Sequence, residues 1–126
     1  MHHPSTPEVQ TWTENIITSG QDPVIVFGVD WCGYCQMALR ALDQMHVPYR
    51  YIHTDSPAEL DGFSPADIRQ ELRRRTGSGT VPQVFIGGAA IGGATELLTA
   101  RNSGELVEKL DALGISHQPP EAPPPN

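Results

Sequence analysis

Val24-Ile25-Val26-Phe27-Gly28-Val29-Asp30-Trp31-Cys32-Gly33-Tyr34-Cys35 is the stretch that decides the fold. Its first four residues are apolar throughout and read as a central strand. The chain's only two cysteines follow as C-x-x-C, where a helix is expected to begin. A buried strand that delivers C-x-x-C to a helix start is the arrangement for thiol–disulfide chemistry. Unpaired N–H groups and the partial positive charge of a helix N-terminus favour a thiolate over a thiol. Only the thiolate attacks, so Cys32 is the candidate nucleophile. Cys35, one helical turn on, is placed to close a disulfide with it.

Three plainer readings compete. A structural disulfide here would close a tiny loop and restrain the unfolded chain little. A zinc site needs four ligands, and the spacing of His46 and His53 to the cysteines fits no finger pattern. His2, His3 and His117 lie near the termini. Two buried free cysteines acting as small hydrophobes is the last alternative, and the motif by itself leaves it open.

The chain has 126 residues, enough for one domain with its own core. Eight basic residues against 15 acidic ones give a net charge of −7, so no basic face is available for nucleic acid. Lys109 is the sole lysine, which argues against a polybasic membrane anchor. No apolar stretch is long enough to span a bilayer. Met1-His2-His3-Pro4-Ser5 does not resemble a secretory signal, and the sequence leaves open whether Met1–His3 are native. One C-x-x-C without a wider cysteine framework points to a cytoplasmic protein, or to an organelle if this is a mature chain.

Outward from the central strand, Ser5 and Glu8 form a predicted capping box ahead of Val9, Trp12, Ile16 and Ile17. The second helix is expected from Cys32 to Met45, with Met37, Ala38, Ala41, Leu42 and Met45 facing inward. A second strand runs from Tyr49 to His53, and the second and third helices are expected on opposite faces of the sheet. Thr54 to Phe63 reads as a surface loop. Ser64-Pro65-Ala66-Asp67 is a strong helix start, Ile68 and Leu72 mark the inner face, and Thr76-Gly77 ends the helix. Arg73, Arg74 and Arg75 complement its dipole. Val81 to Ile86 reads as a strand, Gly87-Gly88 as a hairpin turn and Ala89 to Ile91 as the returning strand. Thr95 to Ala100 and Ser103 to Leu113 are expected helices, the last burying Leu106, Leu110 and Leu113. The division that follows is an N-terminal helical segment (1–22), a main domain (23–115) and a disordered proline-rich tail (116–126).

Pro82 removes a ladder donor and so marks a strand start or edge. Were its peptide bond cis, Val81 would offer its N–H and C=O to an extended thiol peptide. Gly92-Gly93-Ala94-Thr95 opens a helix whose N–H groups can hold a carboxylate, although such a pair is usually only a turn.

W-C-G-Y-C, then T-V-P-Q-V-F-I-G-G, then I-G-G-A-T-E-L, in that order, resembles the glutaredoxin family from about Pro23 to Leu113. The resemblance implies an α/β thioredoxin-like fold, with a central four-stranded mixed sheet flanked by helices on both faces. It implies a glutathione-dependent thiol–disulfide oxidoreductase acting on glutathione mixed disulfides and protein disulfides. Cys32 would be the nucleophile and Cys35 the resolving thiol. Tyr34 would pack on the glutathione cysteine, and Val81, between Thr80 and a cis Pro82, would pair with its backbone. Gly93, Ala94 and Thr95 would hold the γ-glutamyl carboxylate, and Arg69 would lie near the glycine carboxylate. Partners would be glutathione and glutathionylated or disulfide-bonded proteins, with no nucleic acid and no membrane. The chain would be a monomer.

Three positions depart from the family's usual pattern. Val29 stands where a lysine is common, which removes a cation near Cys32. Thr95 stands where an aspartate is frequent, so that Glu96 would grip the glutathione amino group or the grip would be looser. Gly33 stands where many dithiol members have proline. Similar members with glycine there hold a [2Fe–2S] cluster across a dimer, with the first cysteine of each chain and two glutathiones as ligands. That makes Cys32 the metal ligand in the alternative reading, an iron–sulfur carrier or sensor. W-C-G-Y-C also resembles relatives that use mycothiol, whereas the T-V-P and G-G-A-T-E-L segments favour glutathione. No dinucleotide fingerprint is present for direct use of NADPH.

Overall fold

The computed structural model describes residues 6–119, and the elements follow the chain in the order αβαβαββαα. They are α1 (Pro7–Thr18), β1 (Val24–Gly28), α2 (Gly33–Gln44), β2 (Arg50–His53), α3 (Pro65–Thr76), β3 (Gln83–Ile86), β4 (Ala89–Gly92), α4 (Ala94–Ser103) and α5 (Glu105–Ala112). The sheet order is β2-β1-β3-β4. β1 runs parallel to β2 and antiparallel to β3, and β3 pairs antiparallel with β4. This is the mixed, four-stranded, thioredoxin-like sheet expected from the sequence.

All of β1 is buried, as a strand covered on both faces must be. On one face Val24, Val26, Val84 and Ile86 pack with α2, α4 and α5, through residues such as Leu42, Leu97 and Leu110. On the other face Ile25, Phe27, Ile52 and Phe85 pack with α1 and α3, through Val9, Ile17, Ile68 and Leu72. The second and third helices thus lie on opposite faces, as the sequence suggests.

Several local expectations are corrected. The N-cap of α1 is Thr6, whose hydroxyl accepts the Val9 N–H at 3.4 Å. Pro7 occupies the first helical turn, and the expected capping residue, Ser5, lies outside the described residues. In α2, Met37 is exposed and Leu39 is buried instead. The inner stripe is Cys35, Ala38, Leu39, Ala41 and Leu42, the three- and four-residue spacing of a helix face. β3 begins at Gln83 rather than Val81, because Pro82 has no N–H for the ladder. Gly104, at φ +89°, divides α4 from α5. Leu113 falls beyond that last helix and is half exposed, while Ile115 is buried in its place. The loop from Thr54 to Phe63 carries one core anchor, Leu60, which is fully buried. After α5, the Gln118 N–H donates to the Met45 carbonyl at 2.6 Å. The remainder of the tail lies outside the described residues. No helix among the described residues is long and apolar enough to cross a membrane.

Candidate active site

β1 ends at Gly28, and a tight turn carries the chain to α2, with the Cys32 N–H donating to the Val29 carbonyl at 3.3 Å. Cys32 is the N-cap of α2, in extended conformation. Its sulfur accepts the Cys35 N–H at 3.3 Å, the place a serine oxygen takes in an ordinary cap. Gln36 fastens the turn, donating from Nε2 to the Asp30 carbonyl at 3.2 Å. Cys32 is partly exposed, whereas Cys35 is wholly buried; both are free thiols.

That difference in setting separates the two thiols in acidity. Desolvation works against ionisation of Cys32. The Cys35 thiol and the N–H groups of Cys35 and Tyr34 nevertheless hold it below the ordinary thiol value. Burial pushes Cys35 up to about 12. A backbone hydrogen bond at Val29 opposes this in part, while Cys32 and the Asp30 charge add to it. Cys32 is thus the more readily ionised of the two sulfurs, and Cys35 is the one that stays protonated near neutral pH.

Cys32 borders an open groove of about 190 Å³ lined by Tyr34, Thr80, Val81, Pro82, Gly93, Ala94, Thr95 and Glu96. The Cys32 sulfur lies 3.9 Å from the Val81 carbonyl oxygen, and the Val81–Pro82 peptide bond is cis. Tyr34 stands out from the first turn of α2, well exposed. The groove therefore collects all the candidate binding residues named from the sequence, except Arg69. Arg69 lies on α3 next to Gly79, close enough that a side-chain carbon on Gly79 would meet its Cγ at 3.0 Å. At the start of α4, the Glu96 carboxylate turns back and accepts the Gly93 N–H at 3.2 Å. A larger hollow, about 540 Å³, lies at the opposite end of the sheet among Ile17, Pro23, Pro48, Leu113 and Ile115. No cysteine or ionisable side chain lines it, so the chemistry belongs to the smaller groove.

Some residues around the site escaped the sequence reading. Gln83 is buried, and its side chain ties down the loop ahead of Pro82 by donating to the carbonyls of Ser78 and, at 3.0 Å, Thr80. A glutamine directly after a strand-entry proline was the available signal. His53 sits between two carboxylates, with Nε2 2.8 Å from Asp30 and Nδ1 2.8 Å from Glu59. The hydrogen bond with Glu59, and secondarily that with Asp30, raises its pKa. Val29 is buried, so the position where the resemblance led one to expect a lysine points into the protein. Among the described residues, no group of three or more His, Cys, Asp or Glu side chains is arranged to hold a metal ion.

Comparison with known proteins places this geometry. A profile of the glutaredoxin family matches residues 24–91. A glutaredoxin of Ricinus communis is 36% identical over 104 residues, covering 82% of this chain and 95% of that protein. A glutaredoxin of Pseudomonas aeruginosa is 37% identical over 91 residues, covering 72% of this chain and 94% of its own length. The crystal structure of a buckwheat glutaredoxin–glutathione complex superposes with a TM-score of 0.70 at 32% identity, covering 86% of this chain and 96% of that one. The chain belongs to the glutaredoxin family. It is a thiol–disulfide oxidoreductase.

Proposed function

We propose that the protein reduces glutathione mixed disulfides by a monothiol route through Cys32, with Cys35 reserved for dithiol exchange on protein disulfides. The observation that carries this is the pairing of a partly exposed, acidified Cys32 with a groove whose far wall is the start of α4. The buckwheat relative's complex with glutathione supports that ligand.

Cys32 thiolate attacks the glutathione sulfur of a protein mixed disulfide. A new S–S bond joins Cys32 to glutathione, and the electron pair leaves on the client's sulfur. Tyr34 covers the glutathione cysteine, and Val81 pairs with its backbone. The γ-glutamyl carboxylate meets the N–H groups at the start of α4, where helix geometry leaves donors without intrahelical acceptors. Gly93 has its N–H held by Glu96, so Ala94 and Thr95 are the donors in this state. Thr80 and Pro82 complete the wall, and Arg69 is assigned to the glycine carboxylate. A second glutathione thiolate then attacks the glutathione sulfur of the mixed disulfide, so that glutathione disulfide forms, the bond to Cys32 breaks and the electron pair returns to the Cys32 thiolate. Cys35, held protonated by burial, is the slower resolver for this substrate.

The test is turnover of a glutathione mixed disulfide by purified protein. Cys32→Ser reduces it to background, while Cys35→Ser keeps most of it and loses reduction of protein disulfides. Equal loss in both variants would sink the monothiol route.

One observation favours the second reading, a [2Fe–2S]-bridged dimer. Nothing lies within 4 Å of a side-chain carbon built on Gly33, and Trp31 beside it is 81% exposed. Cys32 of each chain would hold the cluster together with glutathione. The same protein made anaerobically and chromatographed with visible absorbance decides between a coloured dimer and a colourless monomer.

A further inference from the structure

Gly28 leaves a small hollow at the end of β1, and two polar atoms face across it. A side-chain carbon built on Gly28 would lie 2.9 Å from the Cys35 sulfur and 3.1 Å from the Tyr51 hydroxyl oxygen. Tyr51 reaches this point from β2, where it pairs in register with Val26. Its ring packs against the α2 face of the core. Its hydroxyl is buried and, among the described residues, has no hydrogen-bond partner. A buried phenol without a partner is costly and so calls for an explanation. Asp30 is the other acceptor in the neighbourhood: its charge acts on Tyr51, its Oδ1 pairs with His53 at 2.8 Å, and in this state neither of its oxygens meets the Tyr51 hydroxyl in hydrogen-bond geometry. The sulfur across the hollow belongs to the one residue of the reaction that must carry charge while fully buried.

We infer that the Tyr51 hydroxyl is a positioning residue for the dithiol half of the chemistry, donating a hydrogen bond to the Cys35 sulfur as that sulfur takes up its electron pair. The step is the opening of the Cys32–Cys35 disulfide. A reductant thiolate attacks the accessible Cys32 sulfur, a reductant–Cys32 bond forms, the Cys32–Cys35 bond breaks, and the electron pair stays on Cys35. Tyr51 keeps its proton throughout and only donates a hydrogen bond. Solvent supplies the proton that Cys35 takes up afterwards. A second reductant thiol releases Cys32, so the two electrons come from the reductant. Without the Tyr51 hydroxyl the leaving sulfur would keep the backbone hydrogen bond at Val29 but lose the donor facing it across the hollow. The glycine is part of the device, because a side-chain carbon at position 28 would crowd both atoms, at 2.9 Å from the sulfur and 3.1 Å from the hydroxyl.

This inference rests on Cys32 and Cys35 acting as proposed above, and the experiment separates the two. The disulfide form of the full chain is mixed with dithiothreitol, and separately with glutathione. The rate of opening is followed by acid quench and thiol alkylation. Tyr51→Phe keeps the ring and removes only the hydroxyl. It should slow opening by about tenfold with either reductant, the size of a hydrogen bond to a charged group. Turnover of a glutathione mixed disulfide, which glutathione resolves faster than Cys35 does, should stay nearly unchanged in Tyr51→Phe. It should also be the same in Cys35→Ser with and without the tyrosine change. An unchanged opening rate would overturn the inference. So would an equal loss in mixed-disulfide turnover, including in the Cys35→Ser background, since that would mean Tyr51 acts through Asp30 or through general packing. Absence of mixed-disulfide turnover in the unmodified protein would instead strike the underlying reading, because dithiothreitol opening needs no glutathione site.

Discussion

α2 and α3 are both twelve-residue helices, on opposite faces of one sheet, and they begin in opposite ways. α3 satisfies its own start. The Ser64 hydroxyl accepts the Asp67 N–H at 3.1 Å, and the Asp67 carboxylate accepts the Ser64 N–H at 3.2 Å. Pro65 occupies its first turn, Gly77 closes it at φ +83°, and three arginines fill its last turn. α2 has no acid in its first turn and no base in its last, and its cap is the Cys32 sulfur. The positive end of that helix is left for a thiolate instead of being neutralised by a neighbouring side chain. A reactive start forgoes the usual stabilising devices, and its helix depends on the core packing of Ala38, Leu39, Ala41 and Leu42.

The largest effect expected from this contrast lies in α3. Glu71 is fully buried, and its carboxylate accepts from Arg74 Nε at 2.7 Å and Arg75 Nε at 2.6 Å. Arg75 extends the network to Glu14 on α1 at 2.6 Å. Removing the buried carboxylate takes it from Arg74 and leaves Arg75 to Glu14 and the Gln10 carbonyl, so Glu71→Ala should cost about 3 kcal/mol. Urea unfolding measures the loss, and turnover by the remaining folded protein should be unchanged.

The caps give the next, smaller effect. Ser64→Ala should destabilise by about 1 kcal/mol and leave activity intact. Cys32→Ser, which installs a good capping oxygen, should do the reverse: activity vanishes while stability stays within about 0.5 kcal/mol. Thermal melts run beside turnover assays would break the comparison if Cys32→Ser proved as destabilising as Ser64→Ala.

The smallest effect is a pH window near the turn into α2. The pKa of His53 is raised, so its contribution is complete below its ordinary value of 6.5 and is lost as pH rises through the folded value. Burial opposes the shift of Glu59, but the hydrogen bonds with His53 prevail and lower it. Its contribution is therefore present above its ordinary 4.5 and lost as pH falls through the folded value. The pair is strongest between about 4.5 and 6.5. Glu59→Gln should cost about 0.5 kcal/mol at pH 5.5, after allowance for screening of partly exposed groups, and less at pH 8.5. A pH-independent difference in the urea midpoint would remove the ion pair from the account.

The parts legible in the sequence are those whose physics is local. The capped start at Ser64, the apolar β1 and the Gly87-Gly88 turn each depend on neighbours within a few residues, and the C-x-x-C announces its chemistry by spacing. What stayed hidden depends on partners far along the chain. Tyr51 and His53 gave a visible strand, but only the parallel pairing of β2 with β1 brings them beside Cys35 and Asp30. Glu71 shares the inner face of α3 with Ile68 and Leu72. Three residues from the one and adjacent to the other, it was readable as a buried acid needing arginine partners, whereas Arg73 to Arg75 alone suggested only a dipole effect. Met37 and Leu113 misled because their apolar character was taken as burial, when helix phase in one case and helix length in the other decides it.

The bond from Gln118 back to Met45 ties the chain beyond α5 to the far end of the helix that begins at Cys32. For anyone attaching a reporter or an affinity handle, this makes the choice of junction a design variable. A fusion made at Gly114 would discard both the fastening and the buried Ile115, whereas one made past Pro119 would leave the reactive helix held from behind.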